Sequence, residues 1–359
     1  MSNKTILALG ADIKNKFLIS TVKAMHYGPD IGDLSLPTNF KKFKSSLLHT
    51  LKKNRIEPSI LACDRHPQYF SYLFARDNLS HIYPQAQLIT IQHHHAHIAS
   101  VLHEHNIKRP VIGVSFDGTG YGSDGNMWGG EFMLVDQTGY TRLAHLSYRM
   151  MPGGDKVVYE PWRLVVSILQ EKGLPFLPSI KKCDKQIVLS MITKNINTPL
   201  TSSAGRLFDA AAALLGICTR ASFEAEGPIK LEKLSDPTVT ASYPFCIRRN
   251  NQSYIIETDA VFLGMIKDIK RKVSKRIIAA KFHNSMARII IDTVAKLARI
   301  YKIKHIALSG GVFQNRFLTS RVITQLQRNK FIPLTNKTSV TDTNISSGQY
   351  YVSSHSGKN

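Results

Sequence analysis

Apolar residues recur along this chain in two rhythms. Short continuous runs read as strands buried on both faces: TILALG at 5–10, PSILAC at 58–63, AQLITI at 86–91, VIGVSF at 111–116 and KHIAL at 304–308. Helical spacing governs 41–53, 67–77, 161–171, 206–216, 274–300 and about 314–326. Pro161 opens one of these helices where a missing N–H costs nothing. Ser202, Ser203 and Gly205 precede the helix 206–216, and Gly216 ends it. In 274–300 the apolar stripe is Ile277, Ile278, Met286, Ile289, Ile290, Val294 and Leu297. Strands alternating with helices predict an α/β sheet protein.

One local pattern occurs twice. TILALG turns at Gly10-Ala11-Asp12, and a second strand returns over 17–25. VIGVSF likewise runs into a Gly-rich loop, DGTGYGSDGNMWGG at 117–130, and EFMLV returns, with RLAHLS at 142–147 as a further strand. This weak internal repetition predicts two related lobes. Residues 152–155 and 196–205 read as loops, and 354–359 as a frayed tail.

Composition adds bounds. The chain has 359 residues, 43% of them hydrophobic and 20% charged, enough for two packed lobes of an ordinary globular protein. No apolar run reaches the roughly 18 residues that a membrane helix needs. The first apolar run is too short for a secretion signal, so a cytoplasmic location is the expectation, with no membrane partner. The four cysteines, Cys63, Cys183, Cys218 and Cys246, form no C-x-x-C pair. They are expected to be reduced and buried, without structural zinc. Cys63 as a nucleophile is the weaker reading of a strand end; Asp64 and His66 are the better polar cleft residues. The net charge of +22 favours encounters with polyanions. Its two basic clusters, 41–55 and 267–276, are not interleaved with aromatics and read equally well as solvated helix faces. Specific nucleic-acid binding is not expected.

The sharpest local signal is Gln92-His93-His94-His95-Ala96-His97. If these residues open a helix, His93 and His97 share one face and can bind one divalent ion. Asp117, at a strand end, and Asp342, in a polar turn, are candidates for the remaining ligands. Two imidazoles and two carboxylates suit iron, zinc or manganese. The competing reading is a polar loop or helix cap. His94 and His95 are free to orient substrate or to donate to a carboxylate. Three Gly-bearing segments suggest an anion or nucleotide cleft: Gly118-Thr119-Gly120, Gly205 and Ser309-Gly310-Gly311. Asp209, one turn into its helix, is placed to accept from ribose hydroxyls. Structural turns and an ordinary first-turn Asp remain the alternative.

Taken in order, the strings ALGADIKNKF at 8–17, CDRHPQY at 63–69, QHHHAH at 92–97 and FDGTGYGSDGNMWGGEF at 116–132 become recognisable. MPGGD at 151–155, EPWR at 160–163, TSSAGRLFDAAAALLG at 201–216 and LSGGVFQNRFL at 308–318 complete the set. From about residue 5 to 350 the chain resembles the C-terminal transferase region of HypF-type hydrogenase-maturation carbamoyltransferases. That region is itself similar to O-carbamoyltransferases and tRNA threonylcarbamoyl-adenosine transferases.

The resemblance implies a two-lobed actin/Hsp70/sugar-kinase-like fold, with duplicated ribonuclease-H-like lobes around a central cleft. Residues 1–108 would form the N-terminal lobe, completed by a helix at 343–359, and 109–342 the second lobe. It implies metal ligation by His93, His97, Asp117 and Asp342, with iron or zinc as the divalent ion. It implies donor or nucleotide contacts from Asn15, Gly118, Thr119, Gly120, Gly205, Asp209, Glu224, Ser309, Gly310, Gly311 and Asn315. Lys14, His66 and His94 are the candidate catalytic groups; for a hydroxyl acceptor, His66 or His94 would be the base. The donor would be ATP-derived carbamoyl-adenylate, and the acceptor the C-terminal cysteine thiol of a HypE-type protein. A sugar hydroxyl, a tRNA, or a role as a scaffold without catalysis are the rival readings.

Two strings depart from the family pattern. SFEAEGPIKLE at 222–232 carries Ala225 and Glu226 where Gly and Gln are usual. Thr341-Asp342-Thr343-Asn344 keeps the Asp without the adjoining Gly pair, and Ser347-Gly348-Gln349 follows. The acylphosphatase-like, zinc-binding and donor-forming parts of a full HypF-type protein have no counterpart here. A separate adenylate-forming partner, a split enzyme or a piece of a longer chain would each account for this, and Met1 so close to the first strand fits a natural start.

Overall fold

The computed structural model describes residues 4–171, 173 and 182–356. Its short apolar runs form two sheets. The first contains β1 (Ile6–Ala8), β2 (Leu18–Ser20), β3 (Met25–Tyr27), β4 (Ile60–Asp64) and β5 (Gln87–Ile91), in the order β3-β2-β1-β4-β5. β1 pairs antiparallel with β2 and parallel with β4. The strand expected over 17–25 is thus two strands, because Thr21 N–H bonds Ala24 O at 2.9 Å and turns the chain back.

The second sheet contains β6 (Val111–Tyr121), β7 (Met127–Val135), β8 (Tyr140–Leu146), β9 (Arg149–Met150), β10 (Leu200–Thr201), β11 (Cys246–Asn250), β12 (Ser253–Glu257), β13 (His305–Ser309) and β14 (Ile332–Thr335). Its main order is β11-β12-β8-β7-β6-β13-β14, with β10 paired to β7 and β9 to β10. The Gly-rich loop expected over 117–130 is mostly ribbon. β6 and β7 stay paired out to Tyr121 and Met127, with a register shift between Phe116 and Gly120. That irregularity lies where Asp117 leaves the ladder, and bulges of this kind re-aim side chains.

Helices cover both sheets, which is why the central strands read as unbroken apolar runs. Helix α1 (Pro37–Lys53) lays Phe43, Leu47 and Leu51 on the first sheet beside Leu7, Ile19 and Leu61. Its lysines face solvent. The stretch expected as one helix over 67–77 is an α-turn, Phe70–Phe74, followed by a π-segment, Ala75–Leu79. Helix α2 (His93–Glu104) and the C-terminal α6 (Ile345–His355) lie between the sheets: one core cluster joins Ile6 and Ala62 to Ile98, Val101, Val111, Met133, Ala307 and Ile345. The second sheet's other face carries α3 (Ala204–Leu214) and the long α4 (Lys275–Tyr301), with α5 (Arg316–Arg328) beside α4. On α4 the stripe is as expected except that Ile277 is exposed and Phe282 is buried instead. No helix among the described residues is long and apolar enough to cross a membrane.

Cys63 and Cys218 are buried and free, whereas Cys246 is exposed, against expectation, because its strand edges the sheet. Cys183 has no described side chain. Burial pushes the Cys63 thiol well above its usual pKa, which argues against its use as a nucleophile.

Candidate functional site

Helix α2 is buried along His93–Leu102, so its polar residues must find partners inside the protein. Gln92 opens the helix as a cap. Its Oε1 accepts from His95 N–H at 2.8 Å, which turns its amide nitrogen toward Tyr121 O at 3.2 Å and His94 Nδ1 at 3.0 Å. His94 Nδ1 therefore accepts and Nε2 carries the proton. Burial pushes the His94 pKa down to about 3, so this ring is a neutral donor and not the general base expected for a hydroxyl acceptor.

His93 and His97 lie one turn apart and aim Nε2 at two carboxylates. His93 Nε2 is 3.4 Å from Asp117 Oδ2 and 3.7 Å from Asp342 Oδ1; for His97 Nε2 the distances are 3.3 and 3.4 Å. All four ligand atoms lie within 4.8 Å of one another. Both nitrogens are buried, near the carboxylates yet without a hydrogen bond in proper line. Donors about 2.0–2.2 Å from a tetrahedral ion would be spaced by roughly 3.4 Å. The residues present therefore fit a divalent ion. Without one, burial disfavours charge on His93 and His97, but carboxylates outweigh it and raise both pKa values: Asp64, Asp117 and Asp342 at His93, Asp117 and Asp342 at His97. Asp117, despite its own burial, is held well below the usual carboxylate range by the two imidazoles.

Each ligand is fixed by its own element. Asp117 Oδ1 accepts from Gly311 N–H at 2.9 Å, leaving Oδ2 for the ion. Asp342 sits in a loop held by Glu104 at the far end of α2. That carboxylate accepts from Lys337 N–H at 2.5 Å, Thr338 Oγ1 at 2.5 Å and Asn344 Nδ2 at 2.9 Å. Asn344, one of the departures from the family string, is thereby part of what holds Asp342.

Beside this cluster is a cavity of about 180 Å³. Of the expected site residues, Lys14, Asp117, Gly118, Gly205, Glu224, Gly311 and Asn315 line it, together with Arg206 and Phe208. Gly205 packs so closely on Gly118 that a Cβ would come within 2.9 Å of its Cα. Ser203 caps α3 and donates to Asp117 O and Gly118 O at 2.8 and 2.7 Å, tying helix to ribbon.

Other expected contacts lie off the cavity. Asn15 is fully buried and donates to Leu9 O and Ala11 O. Thr119 is half-buried, and Gly120 packs under the rings of His93 and His94. Asp209 sits behind Arg206, 3.1 Å from its Nε, and burial raises its pKa to about 6. Ser309 is turned inward to His97, and Gly310 packs against Phe116. Asn315 lines the cavity but also caps α5 and donates to His283 Nε2. His66 stacks on Tyr69 at 4.2 Å, and its Nδ1 accepts from Gln68 N–H at 3.2 Å. Sequence reasoning missed Arg206, Glu104 and the pair of buried Glu131 and half-buried Arg142, joined at 2.6 Å. The TSSAGR string held the only local clue to Arg206; the others depend on distant partners.

The altered 222–232 string is accommodated locally. Glu226 accepts from Ser222 N–H at 2.6 Å and Lys230 Nζ at 2.5 Å. Ala225 has φ +64°, a left-handed conformation that costs a Cβ-bearing residue about 1 kcal/mol. Ala225→Gly is expected to raise stability by about 0.5–1 kcal/mol, read as a higher urea midpoint with an unchanged slope.

Residues 1–104 match the family model described as "HypF Kae1-like domain", and 113–349 the one described as "Carbamoyltransferase, Kae1-like Domain, second subdomain". The carbamoyltransferase HypF of Synechocystis sp. is 32% identical over 356 residues, 93% of this chain and 45% of that protein. The HypF homolog of Cupriavidus necator is 32% identical over 332 residues, covering 88% of this chain and 83% of that one. A crystal structure of full-length HypF in a phosphate- and nucleotide-bound form superposes with a TM-score of 0.92 at 32% identity, over 98% of this chain and 46% of that one. The chain thus spans about half the length of full-length relatives that it matches.

Proposed function

The chain belongs to the HypF carbamoyltransferase family, and from that premise we propose that it transfers a carbamoyl group from carbamoyl-adenylate to a thiol. The acceptor is the C-terminal cysteine of a HypE-type protein, and the donor comes from a separate adenylate-forming protein or domain. The reading carries with it a cytoplasmic location. It also carries an actin-like pair of lobes, residues 1–108 with the C-terminal helix against 109–342. The observation that bears most weight is the pair of buried, unpartnered Nε2 atoms facing two carboxylates at the edge of a Gly-walled cavity.

His93, His97, Asp117 and Asp342 would hold iron or zinc, which acts as a Lewis acid on a donor oxygen. The chain's own groups do the rest. Gly118 and Gly205 let the donor approach the backbone, and Lys14 stands at the cavity mouth as a cation for phosphate. Glu224 and Arg206 flank the nucleotide side, with Asp209 as the charge partner of Arg206. His94 lies off the cavity lining, buried and neutral beside His93, with an unpartnered Nε2–H that could serve as a donor only where the carbamoyl group reaches it. The acceptor thiolate attacks the carbamoyl carbon, the carbon–oxygen bond to AMP breaks, and AMP leaves.

The test is label transfer from carbamoyl phosphate and ATP with a purified adenylate-forming domain, offered a Cys-terminated HypE-type tail, bulk tRNA and a panel of sugars. Label is expected on the Cys tail alone. Label on tRNA or a sugar would replace this acceptor. No transfer, with donor synthesis and bound metal verified, would favour a partner-binding scaffold.

A further inference from the structure

The two histidines facing the ion differ on their other nitrogen. Asp64 ends β4 and is 1% exposed. Its Oδ2 lies 2.7 Å from His93 Nδ1, and its Oδ1 accepts the backbone N–H of His66 at 3.0 Å. The aspartate is thus held from one side and presents its other carboxyl oxygen to His93 Nδ1. His97 Nδ1 faces a neutral chain: Ser309 Oγ at 3.3 Å, which donates to Asn336 Oδ1 at 2.7 Å. Asn336 Nδ2 in turn donates to Ser100 Oγ at 2.8 Å and reaches Glu104 Oε2 at 3.5 Å, which keeps the amide in that orientation, so the only charge lies at the remote end of this hydrogen-bonded chain.

We infer that Asp64 is the positioning residue of the ion site, holding His93 as the Nδ1–H tautomer and making its Nε2 the more strongly donating imidazole. Ser309 plays the weaker, neutral counterpart for His97, so this serine belongs to the ion site and not to the nucleotide. A carboxylate on the remote nitrogen fixes ring orientation and raises ligand basicity, and losing such a partner costs about 10- to 100-fold in metal affinity. The bond to Ser309 is longer and uncharged, so its loss costs less.

The inference rests on the reading of His93, His97, Asp117 and Asp342 as a metal site. The whole chain is stripped with chelator and titrated with Co²⁺ by visible absorption, then with Zn²⁺ in competition. Wild type, Asp64→Asn and Ser309→Ala are compared, and melting in chelator reports folding. Asp64→Asn is expected to bind both ions 10- to 100-fold more weakly with an altered Co²⁺ spectrum, and Ser309→Ala only a few-fold more weakly. Unchanged affinity in a folded Asp64→Asn protein would overturn the role of Asp64. Failure of wild type to bind either ion would instead overturn the metal reading itself. Should Asp64→Asn not fold, nitrogen-15 imidazole spectra of Zn²⁺-loaded wild type decide. A protonated His93 Nδ1 with a strongly downfield proton supports the role, and a Zn²⁺-bound Nδ1 overturns it.

Discussion

Replacing His93 or His97 with alanine is expected to weaken divalent-ion binding by about a thousandfold and to bring carbamoyl transfer to background. On the proposed reading each imidazole is one of four protein ligands, and the ion would be asked for several kcal/mol of charge stabilisation, so losing about 4 kcal/mol corresponds to roughly 10³. The remaining groups cannot close the gap, because Asp117 Oδ1 is committed to Gly311 N–H and Asp64 faces the opposite nitrogen of His93. Co²⁺ titration and label transfer measure the two losses separately. Retention of one tightly bound ion per chain by both variants would remove the histidines from the site.

Gly348→Ala, in α6, is expected to destabilise the chain strongly. A Cβ at this position would meet the Ala96 carbonyl oxygen well inside contact distance, with Ala96 C at 2.6 Å and Cα at 2.9 Å. These are backbone atoms of α2 and cannot rotate away. The two helices would have to separate, at a cost of about 3 kcal/mol. The loss would be read in urea denaturation. Because Ala96 lies between His93 and His97, and the short 3₁₀ turn Asp342–Asn344 leads directly into α6, ion affinity should fall as well. A variant with wild-type stability and ion affinity would show that the helices part without consequence. Gln349, next in the chain, clamps the same junction: it accepts from Gly10 N–H at 2.8 Å and donates to Gly10 O at 3.2 Å. The Ser-Gly-Gln string is therefore explained by packing between α6, α2 and the first strand, with no need for a ligand.

The errors in reading elements from sequence have local causes. The return strand at 17–25 looked continuous because Thr21-Val22-Lys23-Ala24 has acceptable strand composition; only the Thr21–Ala24 bond makes it a turn. The DGTGY segment looked like a loop because glycines suggest turns. Pairing with β7 extends it as ribbon, and Gly120 is needed there because the rings of His93 and His94 occupy the space above it. Ser309 and Gly310 read as nucleotide contacts because a strand end before a helix resembles an anion loop, and Asn15 because it matches the first turn of the family string. Their actual partners are more than six residues away in the case of Ser309 and Gly310, and no local pattern encodes that.

Legible in the linear chain are the alternation of buried strands and helices, the placement of His93 and His97 on one helical face, and the strings that carry the family resemblance. Those features depend on periodicity and residue identity over short spans, which a linear chain displays directly. Packing supplied what no short span displays: α2 lies buried between two sheets, and Asp64 takes the side of His93 opposite the expected ligands Asp117 and Asp342. It also decided that Glu104 holds the loop bearing Asp342. Burial forces each polar group to find a partner, and in a layered fold the partner comes from whichever strand or loop packs there, 20 to 249 residues away in the chain.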